Sequence, residues 1–290
     1  MTRRGVLLFS AMCVIWGIPY LMIRVAVREL APETLVFFRT AIGALLLVPF
    51  AAARGTLRPL AAVFWALAVY TAIEVAIPWV LLARAETKLT SSLTGLLIAA
   101  VPLVGAVVVT MTGSRERQGT RRWLGLLVGV LGVAALVGLD IGQVSAMPLL
   151  EIMIVAVCYA LGPIILTRRL SGVPALGVVA ASLLLTALVY APLAATHWPS
   201  ATPSAHVVES VVGLGAICTA VAFLVFFALI GEVGPVRATV ITYVNPAVAA
   251  LVGVAVLSEQ LTGGMLVGFA LILVGSVLAT GRGPEPVPEP

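Results

Sequence analysis

Apolar runs of about 20 residues recur from one end of this chain to the other, each long enough to cross a bilayer core of about 30 Å. Backbone placed in hydrocarbon must satisfy its own hydrogen bonds, which a helix does internally. Ten such spans can be drawn, at roughly 5–27, 33–53, 60–83, 88–112, 121–139, 148–168, 174–195, 208–230, 234–257 and 263–281. Ordinary boundary chemistry separates them: Pro32, Arg54-Gly55, the basic run Arg115 to Arg122, Gly142 to Pro148, Ser171-Gly172, and Trp198 to Ser204. The chain is 61% hydrophobic and 10% charged, against roughly 25% charge in a soluble domain, which leaves little room for a soluble domain. The sequence therefore predicts an all-α integral membrane protein of ten transmembrane helices. The opening MTRRGVLLFSAMCVIW reads as the first span and not as a removable signal, because its apolar run is long, ends at Arg24 and has a counterpart later in the chain. The closing GPEPVPEP reads as a disordered proline-rich tail, 282–290.

The net charge of +5 is scattered over loops, which suits a cytoplasmic face of a membrane better than nucleic acid. With the N-terminus placed in the cytoplasm, inner segments hold Arg3, Arg4, Arg54, Arg58, Arg115, Arg117, Arg121, Arg122, Arg168, Arg169 and Arg282, while outer loops and their flanks hold Arg24, Arg28, Arg84 and Lys88. Eleven against four predicts both termini in the cytoplasm of a multi-pass cell-membrane protein. Cys13, Cys158 and Cys218 all fall inside spans and suggest neither disulfides nor a metal site, and no cofactor is expected.

The two halves repeat at an offset of 142 to 144 residues. Pro19 matches Pro163, Arg24 matches Arg168, Pro32 matches Pro174, Pro49 matches Pro192 and Pro102 matches Pro246. Glu116, Gly125 and Gly132 match Glu259, Gly268 and Gly275. Five spans per half is an odd number, so the halves enter the membrane from opposite sides. That is an inverted repeat, 1–140 and 148–281, a plan of secondary transporters in which the site lies at the repeat interface near the midplane.

Within the spans, Glu74 lies near the middle of the third, one helical turn after Tyr70 and just before Pro78 and Trp79. An ionisable group at that depth reads as a proton-titrating or cation-binding group facing a central cavity, or as a structural acid paired with an arginine such as Arg39. Arg39 itself can pair with Glu74, meet a substrate carboxylate, or snorkel to the interface. Pro102 and Pro246 should weaken helices four and nine and free the carbonyls of Ile98 and Thr242, to line a cavity, to hinge, or simply to kink. Asn245 brings an amide near the midplane, for cargo or for holding helices together. Trp16 and Tyr20 share a face of the first helix, and Tyr159 and Tyr243 lie mid-span; such aromatics wall a pocket or pack. Gly125/Gly129 and Gly264/Gly268 are small-xxx-small faces for close helix packing, within a protomer or in a homodimer. His197 and His206 fall in a polar loop and receive no role.

These residues resemble a known family. Trp16-Gly17, Pro32 with Arg39, the SSLTGLLIAAVPLVGAV stretch (Ser91 to Val107) and its echo ATVITYVNPAVAALVGVAVLSEQL (Ala238 to Leu261) look like EamA-type members of the drug/metabolite transporter superfamily. Ser258 stands where the family has glycine before the acid at Glu259, and Ala181 stands where an Arg39 counterpart would be. The resemblance implies a ten-helix exporter of a small metabolite such as an amino acid, with helices one, three, four, six, eight and nine around the cavity and five and ten at the periphery. A passive facilitator of the same fold is the alternative. An enzyme is disfavoured: the spans contain no HExxH pair, GxSxG elbow or paired aspartates, and Asp140, the sole aspartate, sits at a span end.

Overall fold

The computed structural model describes residues 1–111, 120–138 and 146–280, which are helix and connecting loop with no strand among them. Nine described helices are long and apolar enough to cross a membrane, and a tenth is shorter. In chain order α1 is Arg3–Ala26, α2 Pro32–Ala53, α3 Arg58–Glu86, α4 Ser91–Val108, α5 Thr120–Val137, α6 Ala146–Arg169, α7 Ala175–Thr196, α8 Ala205–Val233, α9 Ile241–Leu257 and α10 Gly263–Thr280. These bounds agree with the sequence to within a few residues, except that α9, expected from 234, begins only at Ile241. Arg115, Glu116, Arg117, Asp140, Arg282 and the 282–290 tail lie outside the described residues.

The ends follow local chemistry. Thr2 caps α1 by accepting from the Gly5 N–H at 3.0 Å, and Thr90 caps α4 by accepting from Leu93 at 3.2 Å. Pro32 opens α2, where its missing N–H is not needed. Ser258 ends α9 in the left-handed region, with φ 56°, a conformation that costs a non-glycine residue about 1–3 kcal/mol. It turns Glu259 onto the first turn of α4.

Four of the helices carry interruptions. α1 breaks at Trp16–Ile18 and restarts with Pro19 as its first residue. α4 breaks at Ala99–Ala100 and restarts at Val101. α3 and α8 each contain a widened, π-helical stretch, Ala72–Ala76 and Gly213–Val221. In α3 the cause is readable. Pro78 has no N–H for the carbonyl of Glu74, and its ring would collide with that carbonyl in a regular helix. The ladder shifts by one residue instead, and the Ile77 N–H donates to Ala72, five residues back. The expected symmetry of the proline kinks needs correcting. Pro102 is the second residue of the restarted half of α4, so the break precedes it, whereas Pro246 sits inside an unbroken α9. The interruption beside α9 falls at Thr239–Val240, after the short turn Pro235–Ala238.

α5 and α10 pack along most of their length, α2 lies against α7, and α3 against α6. The α5–α10 contact is made by glycines that the repeat pairs with one another. A Cβ at Gly125 would lie 2.8 Å from the Gly275 carbonyl oxygen, and one at Gly132 would lie 2.8 Å from that of Gly268. Backbone on the facing side cannot give way. We therefore expect Gly132→Val to cost about 1–3 kcal/mol through overpacking, read as a lowered unfolding temperature in detergent, while Leu131→Val on the exposed side of α5 leaves it unchanged.

Candidate functional site

Two charged side chains, Arg39 on α2 and Glu74 on α3, reach into the bundle from different helices and form no ion pair with each other. Arg39, on α2, is 8% exposed. Its guanidinium lies 3.6 Å from the centre of the Trp79 ring on α3, and its Nε donates to Thr219 Oγ1 on α8 at 3.1 Å. Close approach of α2 and α8 makes this possible: a Cβ at Gly215 would meet the Arg39 carbonyl oxygen at 3.0 Å, and one at Gly43 would meet Thr219 Cγ2 at 3.0 Å. Thr219 belongs to the widened stretch of α8. A desolvated guanidinium over an indole face gains about 2 kcal/mol, so the pair offsets part of the cost of burying the charge.

Glu74 belongs to the widened stretch of α3. Its carboxylate rests on Gly162 of α6, where a Cβ would overlap Oε2. Oε2 is buried with no hydrogen-bond partner. Its titratable neighbours are Tyr70 on its own helix and Cys158 and Tyr159 on α6. α7 fixes the backbone on either side: Thr71 Oγ1 donates to Ser182 Oγ at 2.8 Å, and the Tyr190 hydroxyl donates to the Ala76 carbonyl at 2.9 Å. This frame therefore holds an acid with one carboxylate oxygen that no protein group serves.

Tyr159 lies near both Arg39 and Glu74, with the Trp79 indole facing its hydroxyl. Tyr20, half-buried on α1, faces Tyr159, Arg39 and Glu86. Trp16 marks the break in α1 and packs on Phe226 and Phe223 of α8, at ring-centre distances of 4.7 and 6.0 Å.

The remaining candidates have other surroundings. Tyr70 is buried in an apolar cluster with Leu60, Leu67, Leu170 and Val178. Ile98 is half-buried against the main core cluster. Asn245, in the amide orientation that satisfies it, donates to the carbonyls of Cys13 on α1 and Ile241 on α9 at 3.3 and 3.0 Å, which ties two helices together. Tyr243 is not mid-span as expected: it is the third residue of α9, and its hydroxyl is 3.3 Å from that of Thr280, the last residue of α10. No ion pair joins Arg39 to Glu74 among the described residues, and Arg39 is too buried to snorkel.

The sequence reading missed three things. Trp79, Thr219 and Tyr190 hold the site, and nothing in their spacing announced it. Arg39 was a candidate from the sequence, but its helix, α2, was not counted among those around the cavity, and its side chain reaches the interior from there. Glu86, expected at a span end, is indeed the last residue of α3 yet is 0% exposed, with both carboxylate oxygens lacking hydrogen-bond partners. A groove of about 520 Å³ lined by Leu30, Phe38, Ile42, Trp198 and Val208 lies beside the α7–α8 loop; it carries no ionisable side chain, and the chemistry lies elsewhere.

The Arg39–Trp79 contact predicts a coupling of about 1–2 kcal/mol in a double-mutant cycle of Arg39→Met and Trp79→Leu, measured by unfolding in detergent. Additive effects would mean that the ring does not hold the guanidinium.

Comparison with known proteins bears on what this site serves. The model of the EamA-like transporter family matches residues 3–138 and again 146–281. The chain is 28% identical over 277 residues to the protein described as uncharacterized inner membrane transporter YedA from Escherichia coli K12, covering 93% of this chain and 88% of that one. The counterparts from the O6:H1 strain CFT073 and from O157:H7 match equally well. A crystal structure that is 22% identical superposes with a TM-score of 0.68 over 97% of both chains, which shows a shared fold.

Proposed function

Because the chain belongs to the EamA-like transporter family, we propose that this multi-pass membrane protein is a proton-coupled secondary transporter exporting a small organic metabolite, such as an amino acid, by alternating access. The observation that carries the reading is Glu74: a carboxylate midway along α3, on a widened turn, with a buried oxygen that no protein group serves. A bare carboxylate there is costly, so it is protonated in this state, or it meets a group that comes and goes. Widened turns recur at functional sites because they free backbone and re-aim side chains. Arg39 supplies a fixed cation, and Trp79, Tyr159, Tyr20 and Trp16 supply aromatic walls and hydroxyls for a small polar cargo.

Two features support the inverted-repeat plan behind alternating access. The widened stretches of α3 and α8 fall at corresponding places in the two halves, with Glu74 opposite Cys218 at an offset of 144. The glycines that the repeat pairs are also those that meet between α5 and α10. In this reading Glu74 has no acidic counterpart in the second half, so the coupling site at the widened stretches is asymmetric. Each elementary charge that crosses the full potential supplies about 2.3 kcal/mol per 100 mV.

The arginine bias orients both termini to the cytoplasm. Ser200, in the exposed α7–α8 loop, then faces outward. Ser200→Cys should react with an impermeant thiol reagent in whole cells, against a background of three buried native cysteines; reaction only after lysis would reverse the orientation.

Glu74→Gln keeps shape and polarity but cannot titrate. In proteoliposomes screened with amino acids and nucleobases, the variant should exchange cargo at a rate within a few-fold of the parent and lose accumulation driven by a pH gradient. Accumulation that persists in full would make Glu74 structural. Flux in the parent that ignores the gradient would favour a passive facilitator.

A further inference from the structure

Glu86 is the last residue of α3, at the end where Arg24, Arg28, Glu33, Arg84 and Lys88 also lie, a region where charged side chains ordinarily find water. It does not. Its relative exposure is 0%, and neither carboxylate oxygen has a hydrogen-bond partner. The apolar cluster around it includes Leu82, Ala83, Leu89 and Leu93. The charged and titratable groups that face it are Arg24 and Tyr20 from α1, Arg39 from α2, and Glu259 from the α9–α10 loop. None satisfies the carboxylate. Arg24 Nη1 donates instead to the Glu86 backbone carbonyl, Arg39 is committed to Trp79 and Thr219, and Glu259 is occupied elsewhere. From α6, Glu151 faces Arg84.

The helix ends on this side are drawn together by a ring of polar contacts. Arg84 pairs with Glu33, Ser204 donates through N and Oγ to Glu29 at 2.7 Å each, and Thr34 Oγ1 donates to the His197 carbonyl at 3.1 Å. Glu259 accepts from the N–H groups of Ser91 and Ser92, both at 2.8 Å, and from their hydroxyls. Burial works against the Glu259 charge, yet these serine hydrogen bonds prevail and hold its carboxyl below the usual carboxylate range. Glu259 thus stays ionised on the α4 N-terminus, and Glu86 is sealed beneath the closure. An ionised carboxylate with no partner in such a place is unstable. A guanidinium lies beside it, aimed at the wrong oxygen.

We infer that Glu86 is a second proton-binding site, distinct from Glu74: it carries a proton while these helix ends are packed together, and when they part it gives that proton to the water outside and pairs with Arg24. Return of the proton breaks the pair and lets the ends close. External alkalinity therefore favours the outward-open state through Glu86. The inference rests on the alternating-access reading above.

The test uses the full-length protein with Cys13, Cys158 and Cys218 replaced by alanine and Leu93→Cys introduced beneath the closure, where Leu93 is 3% exposed. Labelling by an impermeant maleimide is followed from pH 5.5 to 8.5 in this protein and in the same protein carrying Glu86→Gln. The ratio of the two rates cancels the pH dependence of the thiol. The ratio should be near one at acid pH and climb with pH, by at most about tenfold per unit for one linked proton. Glu86→Asp should retain the climb. A flat ratio would overturn the inference, and so would failure of Glu86→Gln to fold, because glutamine mimics the neutral form that the closed state is said to hold. The outcomes separate this inference from its premise. A flat ratio beside intact gradient-driven flux sinks the role of Glu86 alone, and a climbing ratio without any cargo flux sinks the transport reading alone.

Discussion

Inside a membrane a backbone carbonyl without a donor must find one nearby, and in α3 that constraint falls on Glu74. Pro78 cannot serve the carbonyl four residues back. The helix responds by widening over Ala72–Ala76, and the widening sets the direction of the Glu74 side chain. α7 then clamps the distorted stretch at both ends, through Ser182 on Thr71 and Tyr190 on Ala76. The carboxylate meets α6 at the one position, Gly162, where no side chain blocks it. A local backbone conflict thus becomes a fixed, unsatisfied acid at the centre of the bundle.

The arginine near it is treated in the opposite way. Arg39 is buried and has partners, an aromatic face and a hydroxyl drawn from two other helices. Arg39 therefore has protein partners, while Glu74 Oε2 and both carboxylate oxygens of Glu86 have none. In the proposed cycle the two states must differ in their affinity for the proton, and an acid that has a partner in only one of them meets that condition. Arg39 of α2 thus touches both α3, through Trp79, and the widened stretch of α8, through Thr219.

The sequence made the ten spans legible because hydrocarbon imposes length and composition so strongly. Glu74 was legible for a related reason: a lone acid in an apolar run stands out. The partner of Arg39 was not. Its charge suggested an acid, yet the structure supplies Trp79 and Thr219, which lie 40 and 180 residues away in the chain and look like ordinary span residues. Glu86 was misjudged because its place at the end of α3 implied water, and its complete burial comes from the tertiary packing of neighbouring helices. Tyr243 failed in the opposite sense: its position 234–257 looked central, but α9 begins only at Ile241, which moves it to a helix end.

The central claim is that Glu74 carries a proton across with each cargo cycle, and the most direct measurement counts protons. Purified protein in vesicles holding a pH-sensitive dye, with no imposed gradient, should acidify or alkalinise the lumen when a transported cargo is added to one side. The account predicts that this signal disappears in Glu74→Gln while labelled cargo still exchanges. A proton signal of unchanged size in Glu74→Gln would contradict it.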